Sequence, residues 1–491
     1  MEDLIHYILS VFYILSLGVI FIYCFGAYVL TKNYIKSNAD AKNSTDHLDQ
    51  NKLHEKVLVQ LPVYNEKYVV ERLIESVCKL DYPQELLQID ILDDSDDETT
   101  DIIASSIEKY SRKGINIHHK RRLNRTGFKA GALNHFMKDT DCDFIAVFDA
   151  DFIPPKDFLI SLLPHFENKK IGMVQSRWGH INESQSPLTK LQSLALNFHF
   201  TIEHIGREKG NYYMNFNGTA GIWRRECIED AGGWSDKTLT EDLDLSYRAQ
   251  LKGWKFKYVS DIISDAELPV TMEALKVQQY RWNKGGAQCL KKLFSPIIKS
   301  KTMTLKQKVF ALIHLMASTT YAFVFFVFVL CFMLVLLRST SEIIDTTLTF
   351  SSIFFVSTIL LCYSYWISWK ANNNDSIKLF SYRFLLFLVF TSGLSFHNLM
   401  AVLSGFWGPK SDFIRTPKFD EPELSELHKK KYFKPRLSFH LFIEIILTLF
   451  FILAIINSIY YLDIVAFFVF VLVASGFGMI SYYQIKEIYM N

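Results

Sequence analysis

Phe144-Ile145-Ala146-Val147-Phe148-Asp149-Ala150-Asp151 is an apolar run that stops on two carboxylates one residue apart. A short apolar run of this kind reads as a buried parallel strand, and open α/β sheets bind their ligands just past the carboxyl ends of such strands. The two acids therefore stand at a strand exit. Carboxylate oxygens in that place suit a hard divalent cation, Mg²⁺ or Mn²⁺, that completes its octahedron with phosphate oxygens. Asp149 and Asp151 are the candidate metal ligands, and a cation bridging a diphosphate is the implied chemistry. Capping of a helix that starts near Pro154 and Pro155 explains the same two residues. The D-x-D spacing by itself leaves both readings open.

Outward from this strand, short apolar runs alternate with amphipathic stretches over residues 57 to about 300. Residues 57–61, 89–92, 115–118, 144–148 and 173–175 are the predicted strands, with helices after Glu66, Glu98, Lys129 and Lys156. That alternation predicts a parallel sheet of Rossmann-like type. No G-x-G-x-x-G follows the first strand, which removes the main support for a nicotinamide or flavin site. Polar groups recur at the strand exits: Tyr64, Asn65 and Glu66 after the first, Asp93, Asp94, Ser95 and Asp96 after the second. Acids there accept hydrogen bonds from a base or ribose, although any one of them read alone is a helix cap. Lys120, Arg121, Arg122, Arg125 and Lys129 crowd a loop that ends at a helix start, a place suited to a diphosphate. A solvated basic face explains the same cluster, and no aromatic interleaving or reader motif makes it a nucleic-acid patch. An apolar stripe over 187–205 is core or a membrane-surface helix, and the small-residue stretch 215–221 is a turn that lets a substrate approach the backbone.

Composition assigns the remainder of the chain. Of 491 residues, 49% are hydrophobic and 15% aromatic, high for a soluble protein, so part of the chain belongs in lipid. A net charge of +2 points to no polyanionic partner. Seven cysteines are scattered singly, against a disulfide scaffold or a structural zinc site. Residues 4–30 exceed the roughly 20 apolar residues a bilayer crossing needs, and the acidic start argues against a cleaved signal. Lys32, Lys36, Lys42, Lys52 and Lys56 follow, placing the N-terminus outside and the next segment in the cytosol.

Four motifs in order, Asp93-Asp94, Asp149-Ala150-Asp151, Thr240-Glu241-Asp242 and Gln278-x-x-Arg281-Trp282, resemble the processive inverting glycosyltransferases of family 2. The likeness is to the cellulose-synthase-like mannan and xyloglucan-backbone synthases and to bacterial cellulose synthase. Gln60-Leu61-Pro62, the stretch 127–133, Phe216-Asn217-Gly218-Thr219-Ala220-Gly221 and Ala231-Gly232-Gly233-Trp234 extend it over nearly the whole chain. The resemblance implies a nucleotide-diphospho-sugar transferase fold, with Asp93 or Asp94 holding the nucleoside. It implies that Asp149 and Asp151 hold donor phosphates and metal, and that Lys129 touches the diphosphate. Asp242 is then the general base, and Gln278, Arg281 and Trp282 line the donor and acceptor site. Glu241, its neighbour on a helix, is expected to be structural. Phe413-Ile414-Arg415-Thr416-Pro417-Lys418 is similar to the family's F-x-V-T-x-K gating loop, so Thr416 and Lys418 are expected at the donor; Arg415 stands where that pattern has valine.

The expected organisation is a membrane helix over 1–31, a linker over 32–56, a cytosolic catalytic domain over 57–300 and two spans within 301–378. Residues 379–408 are expected to form an interfacial or re-entrant helix, because crossing would put the basic segment that follows outside. A cytosolic gating-like loop over 409–438 and two final spans over 439–491 complete it. Glu444 within a span reads as a glycan contact or as a side chain snorkelling to the interface. The implied activity is transfer of a hexose from UDP-glucose or GDP-mannose to a growing β-linked polysaccharide, in a bacterial inner membrane or a Golgi membrane. Transfer to a lipid, as in ceramide glucosyltransferases, is the enzymatic alternative, and a transporter or inactive scaffold the non-enzymatic one. Expected partners are the nucleotide-sugar donor, the glycan acceptor and the bilayer, with no nucleic acid.

Overall fold

The computed structural model describes residues 2–41, 55–372, 375–409, 413–420 and 437–489. Most of the expected linker, including Lys42 and Lys52, and most of the expected gating-like segment, including Lys410, lie outside the described residues. Seven strands build one sheet: β1 (Val57–Val63), β2 (Leu87–Asp93), β3 (Ile117–Arg121), β4 (Phe144–Val147), β5 (Ile171–His180), β6 (Gly221–Arg224) and β7 (Lys255–Ala266). Their order is β3-β2-β1-β4-β6-β5-β7. Strands β1 to β4 pair in parallel, as the alternating pattern predicts. The expectation of a wholly parallel sheet is corrected at β6, which runs antiparallel to both β4 and β5.

The two unpredicted strands have a physical reason for their faint signal. β6 is four residues long, too short for a period, while β7 is an edge strand that interleaves Lys255, Lys257 and Asp261 with its apolar positions. Alternate side chains of the central strands feed two cores. Val57, Val59, Leu61, Ala146 and Phe148 enter one; Ile145, Val147, Met173 and Trp223 enter the other. The covering helices of this domain are α2 (Val70–Val77), α3 (Thr99–Ser111), α4 (Phe128–Phe136), α5 (Phe158–Leu162), α6 (Pro187–Asn197), α7 (His204–Lys209), α8 (Arg225–Asp230), α9 (Glu241–Leu251) and α10 (Met272–Lys299), with α1 (Glu2–Ala41) preceding them. A π-helical turn, Phe198–Glu203, joins α6 to α7.

The rest of the chain is helical: α11 (Leu305–Leu315), α12 (Ala317–Leu337), α13 (Glu342–Ser351), α14 (Phe355–Ala371), α15 (Ile377–Trp407), α16 (Phe439–Tyr460) and α17 (Ile464–Tyr489). Six helices among the described residues are long and apolar enough to cross a membrane, by length and composition. They make this a multi-pass membrane protein with the α/β domain inserted between its first and later apolar helices. The first of the two spans expected within 301–378 begins with a break at Met316, where α11, capped by Thr304 and Gln307, gives way to α12. The stripe on α6 is core: Leu188, Leu191 and Leu194 pack with Trp369, Phe380 and Phe384 of α14 and α15.

Helix α15 runs unbroken for 31 residues, about 46 Å at the usual rise per residue. Both of its ends abut the α/β domain. Arg383 reaches Glu183 at 3.5 Å near one end, and at the other Lys291 Nζ donates to the Phe406 carbonyl at 2.6 Å. Midway, Gly393 lies directly against Gly476 of α17, a closeness that only two missing side chains allow. Neither reading of Glu444 holds. It is fully buried, pairs with Lys276 of α10 at 2.7 Å and accepts from Gln484 at 2.7 Å, so it joins α16 to the α/β domain.

Candidate active site

The carboxyl ends of β1, β2 and β4 open into one cleft. Tyr64, Glu66, Asp94, Lys129, Asp149, Asp151, Asp242, Gln278, Arg281, Trp282, Thr416 and Lys418 all line it. Asp149 and Asp151 follow β4 directly. Asp149 holds its backbone N–H on Thr219 Oγ1 at 2.9 Å, and its carboxylate pairs with the Lys129 ammonium. Lys129 also donates to the Gly218 carbonyl at 2.8 Å. Burial works against the charge on Lys129, but Asp149, Glu241 and Asp242 together outweigh it and hold the amine above its ordinary range. Asp151 pairs with Lys418 at 2.7 Å, which draws the segment 413–420 over the cleft. Glu267, at the exit of β7, accepts from the Phe419 and Asp420 backbone N–H groups at 3.1 and 3.2 Å and fastens the same segment.

Asp93 is not brought into the cleft. Strand alternation sends it to the face opposite Asp94, where it is 1% exposed and accepts from Ser95 N at 2.8 Å and Thr100 Oγ1 at 3.0 Å. Burial would raise its carboxyl, yet these bonds and the His119 ring at 2.9 Å hold it below the usual range. Asp94 does face the cleft, gripped by Nε and Nη2 of Arg122 at 2.7 and 2.6 Å. The basic loop therefore divides its labour. Arg122 serves Asp94, the Arg125 guanidinium lies flat over the Tyr64 ring at 3.4 Å, and Lys129 alone of the five reaches the D-x-D pair. Asp96 pairs with Asn65, which donates to it at 2.7 Å.

The first turn of α9 supplies the acids opposite. Asp242 accepts from its neighbour Leu243 N at 2.8 Å, and Thr240 makes no side-chain cap bond to the helix. Glu241, expected to be structural, lines the cleft as well. Glu241 and Asp242 are the first two residues of α9, and with no helical turn in front of them both side chains reach the space before the helix. Burial raises the Asp242 carboxyl above its ordinary range, and the Glu241 charge raises it further. On α10, Gln278, Arg281 and Trp282 share one face by their i, i+3, i+4 spacing. Arg281 lies 4.5 Å from the Phe413 ring centroid, a further contact closing the loop.

Several cleft residues went unread in the sequence. Arg415, noted only as a departure from valine, reaches Glu66 at 3.0 Å. Burial still pushes the Glu66 carboxyl up to about 8, with Asp151 and Asp149 adding to the effect of burial. Trp178, His180 and Glu267 also line the cleft, and nothing in their local pattern marks them. Two carboxylates at a strand exit, each drawing a cationic side chain and raising a third buried acid, form a donor set that fits a divalent cation. Among the described residues no group of three or more His, Cys, Asp or Glu could cage a metal. That suits an ion that takes its remaining ligands from phosphate and water.

Residues 54–285 match the family described as Glycosyltransferase like family 2. The chain is similar to glucomannan 4-beta-mannosyltransferase 1 of Cyamopsis tetragonoloba, 40% identical over 299 residues that cover 60% of this chain and 55% of that protein. It is similar also to glucomannan 4-beta-mannosyltransferase 7 of Arabidopsis thaliana, 42% identical over 257 residues, 51% of this chain and 46% of that one. The chain spans about half the length of these curated relatives. A mannosyltransferase from Pyrobaculum calidifontis, solved in complex with GDP-Man and Mn²⁺, superposes with a TM-score of 0.54 at 16% identity, covering 82% of this chain and 100% of that one. At that identity the likeness is one of fold.

Proposed function

We propose, from the premise that residues 54–285 are a family 2 glycosyltransferase domain, that this protein transfers a hexose from a nucleotide sugar to a β-linked polysaccharide with inversion. The observation that carries this reading is one cleft in which Asp149, Asp151 and Lys129 face Asp242. Asp242 takes the proton of the acceptor hydroxyl as its oxygen attacks the anomeric carbon, and the bond to the nucleoside diphosphate breaks on the opposite face. Lys129 and Lys418 offset charge on the departing diphosphate, while Tyr64 with Arg125 stacked on it, and Asp94, hold the nucleoside. Trp282, Gln278 and Arg281 orient the acceptor. Bound at Asp149 and Asp151, Mg²⁺ or Mn²⁺ would supply Lewis-acid stabilisation of the leaving phosphates.

GDP-mannose is the first donor to test, since the curated relatives are named as mannosyltransferases, and UDP-glucose the second. Purified protein in detergent with each radiolabelled donor should yield solvent-insoluble glycan. A chloroform-soluble product would instead favour a lipid acceptor, and absence of donor-dependent nucleotide release would end the transferase reading. Lys129→Ala and Asp94→Ala are expected to raise the donor KM by about tenfold or more, because each removes a charge-assisted contact present in the bound ground state. A kcat loss at unchanged KM would contradict that assignment.

The membrane placement is part of the same proposal. Both ends of α15 adjoin the α/β domain, which supports reading it as an interfacial helix with the segment 413–420 on the same, cytosolic side as the catalytic domain. Lys378 and Trp407 are both exposed at its two ends. Lys378→Cys and Trp407→Cys should both react with an impermeant maleimide only from the cytosolic face, the native cysteines being buried or half-buried. Labelling of Trp407→Cys from outside sealed cells would make α15 a span.

A further inference from the structure

We infer that His199, on the π-helical turn Phe198–Glu203, is a positioning residue that sets the turn carrying the catalytic contacts; the inference rests on the transferase reading above. Residues 217–220 touch Lys129, Asp149 and Asp242 at the centre of the cleft. The Gly218 carbonyl accepts from Lys129 at 2.8 Å, Thr219 Oγ1 accepts from Asp149 N at 2.9 Å, and a Cβ on Gly218 would sit 3.1 Å from Asp242 Oδ2. Gly218 at φ +82° and Ala220 at φ +55° make this a left-handed, strained turn that must be held from outside itself.

His199 supplies that hold. Its Nδ1 faces Glu203 Oε2 at 2.6 Å and its Nε2 faces Asn217 Oδ1 at 3.1 Å. Asn217 Oδ1 also accepts from Asn215 Nδ2 at 2.8 Å, and Asn217 Nδ2 donates to His204 Nε2 at 2.9 Å. With that assignment both nitrogens of His199 face acceptors, Glu203 on one side and Asn217 on the other. Asn217, whose backbone N–H is held by Gln175 Oε1 at 3.1 Å, is thereby fixed in one orientation immediately before Gly218.

The helical geometry explains why a π turn is kept here. An α-helix places i and i+4 on one face but rotates i+5 away; the wider π turn keeps both. His199 accordingly meets Glu203 and also the His204 ring, with centroids 4.7 Å apart. Tyr258 OH donates to the Phe200 carbonyl at 2.6 Å, meeting one of the turn's backbone acceptors, and the Tyr258 ring stacks on His204 at 4.7 Å. On the far side Asn33 Nδ2 donates to the Gly206 carbonyl at 3.1 Å, so the first apolar helix docks on the element that carries the network.

The test compares His199→Leu, His199→Gln and Glu203→Gln in the full-length, detergent-purified enzyme, measuring nucleoside diphosphate binding and kcat per nucleotide-binding site. His199→Leu is expected to lower kcat per site by about 10- to 100-fold, the scale of a 1 Å misplacement. Nucleotide affinity should stay within about threefold, since Lys129 keeps its pairing with Asp149. His199→Gln retains a donor toward Asn217 and should recover most of the rate, with Glu203→Gln falling between. A packing role alone would lower the number of binding sites and leave kcat per site unchanged in all three variants. That result, or a Gln variant as impaired as the Leu variant, overturns the inference. Should His199→Leu fail to fold, parental kcat per site in Glu203→Gln overturns it equally. Failure of the parental enzyme to transfer any sugar would instead defeat the transferase reading.

Discussion

Asp242→Asn is expected to fold, to bind donor nucleotide with nearly unchanged affinity, and to lose sugar transfer by about 10²–10⁴-fold, the usual share of a general base. The reason lies in when the carboxylate acts. In the proposed role it contributes only as the acceptor hydroxyl loses its proton, so its removal should strike the transition state and spare the bound ground state. Its titration adds a second observable. Burial and the neighbouring Glu241 charge raise the Asp242 carboxyl, and a base works only when deprotonated. Activity should therefore fall as pH drops through that raised value, an acid limb lying above the ordinary carboxylate range of about 4. Glu241→Gln removes one of the charges responsible and should move the limb to lower pH. A near-parental rate in Asp242→Asn would remove the base, and an acid limb that ignores Glu241→Gln would remove the coupling.

Chelation is expected to abolish transfer, with activity restored by Mg²⁺ or Mn²⁺. Asp149 and Asp151 face the same cleft at a strand exit, and in the structure each draws an ammonium group, from Lys129 and Lys418. Carboxylates so placed demand positive charge. Asp151→Asn removes one oxygen ligand and one ion pair and is expected to cost at least about 10²-fold in kcat/KM, given that even outer-shell changes cost 10- to 100-fold. Unlike Asp242→Asn it should weaken donor binding as well as rate, because the diphosphate is held before and during reaction. Full turnover in excess EDTA would defeat the metal assignment while leaving the base untouched.

What the sequence by itself determined is local. The apolar run ending in Asp149 and Asp151, the strand-helix alternation through β5, the Gln278-Arg281-Trp282 spacing and the long apolar helices each depend on periods a few residues wide. Hydrophobic period and helix geometry operate at that range. The strand exits were therefore legible, and with them the D-x-D pair, Tyr64 and Asp94, because the loops leaving parallel strands all open at the carboxyl edge of the sheet.

Tertiary structure decided the rest, for reasons that no local period contains. Asp93 and Asp94 are adjacent acids, and only the sheet's faces settle that one is spent on Ser95, Thr100 and His119 while the other meets the cleft. Glu241 joins Asp242 because a helix terminus, unlike a helix middle, aims neighbours into the same space. Lys418 reaches Asp151 across 267 residues of sequence, and Lys276 reaches Glu444 across 168. Contacts at such separations arise from the packing of whole elements: α10 and α15 side by side, α15 against α17 at two glycines. A buried charge can be kept only where that packing delivers its partner.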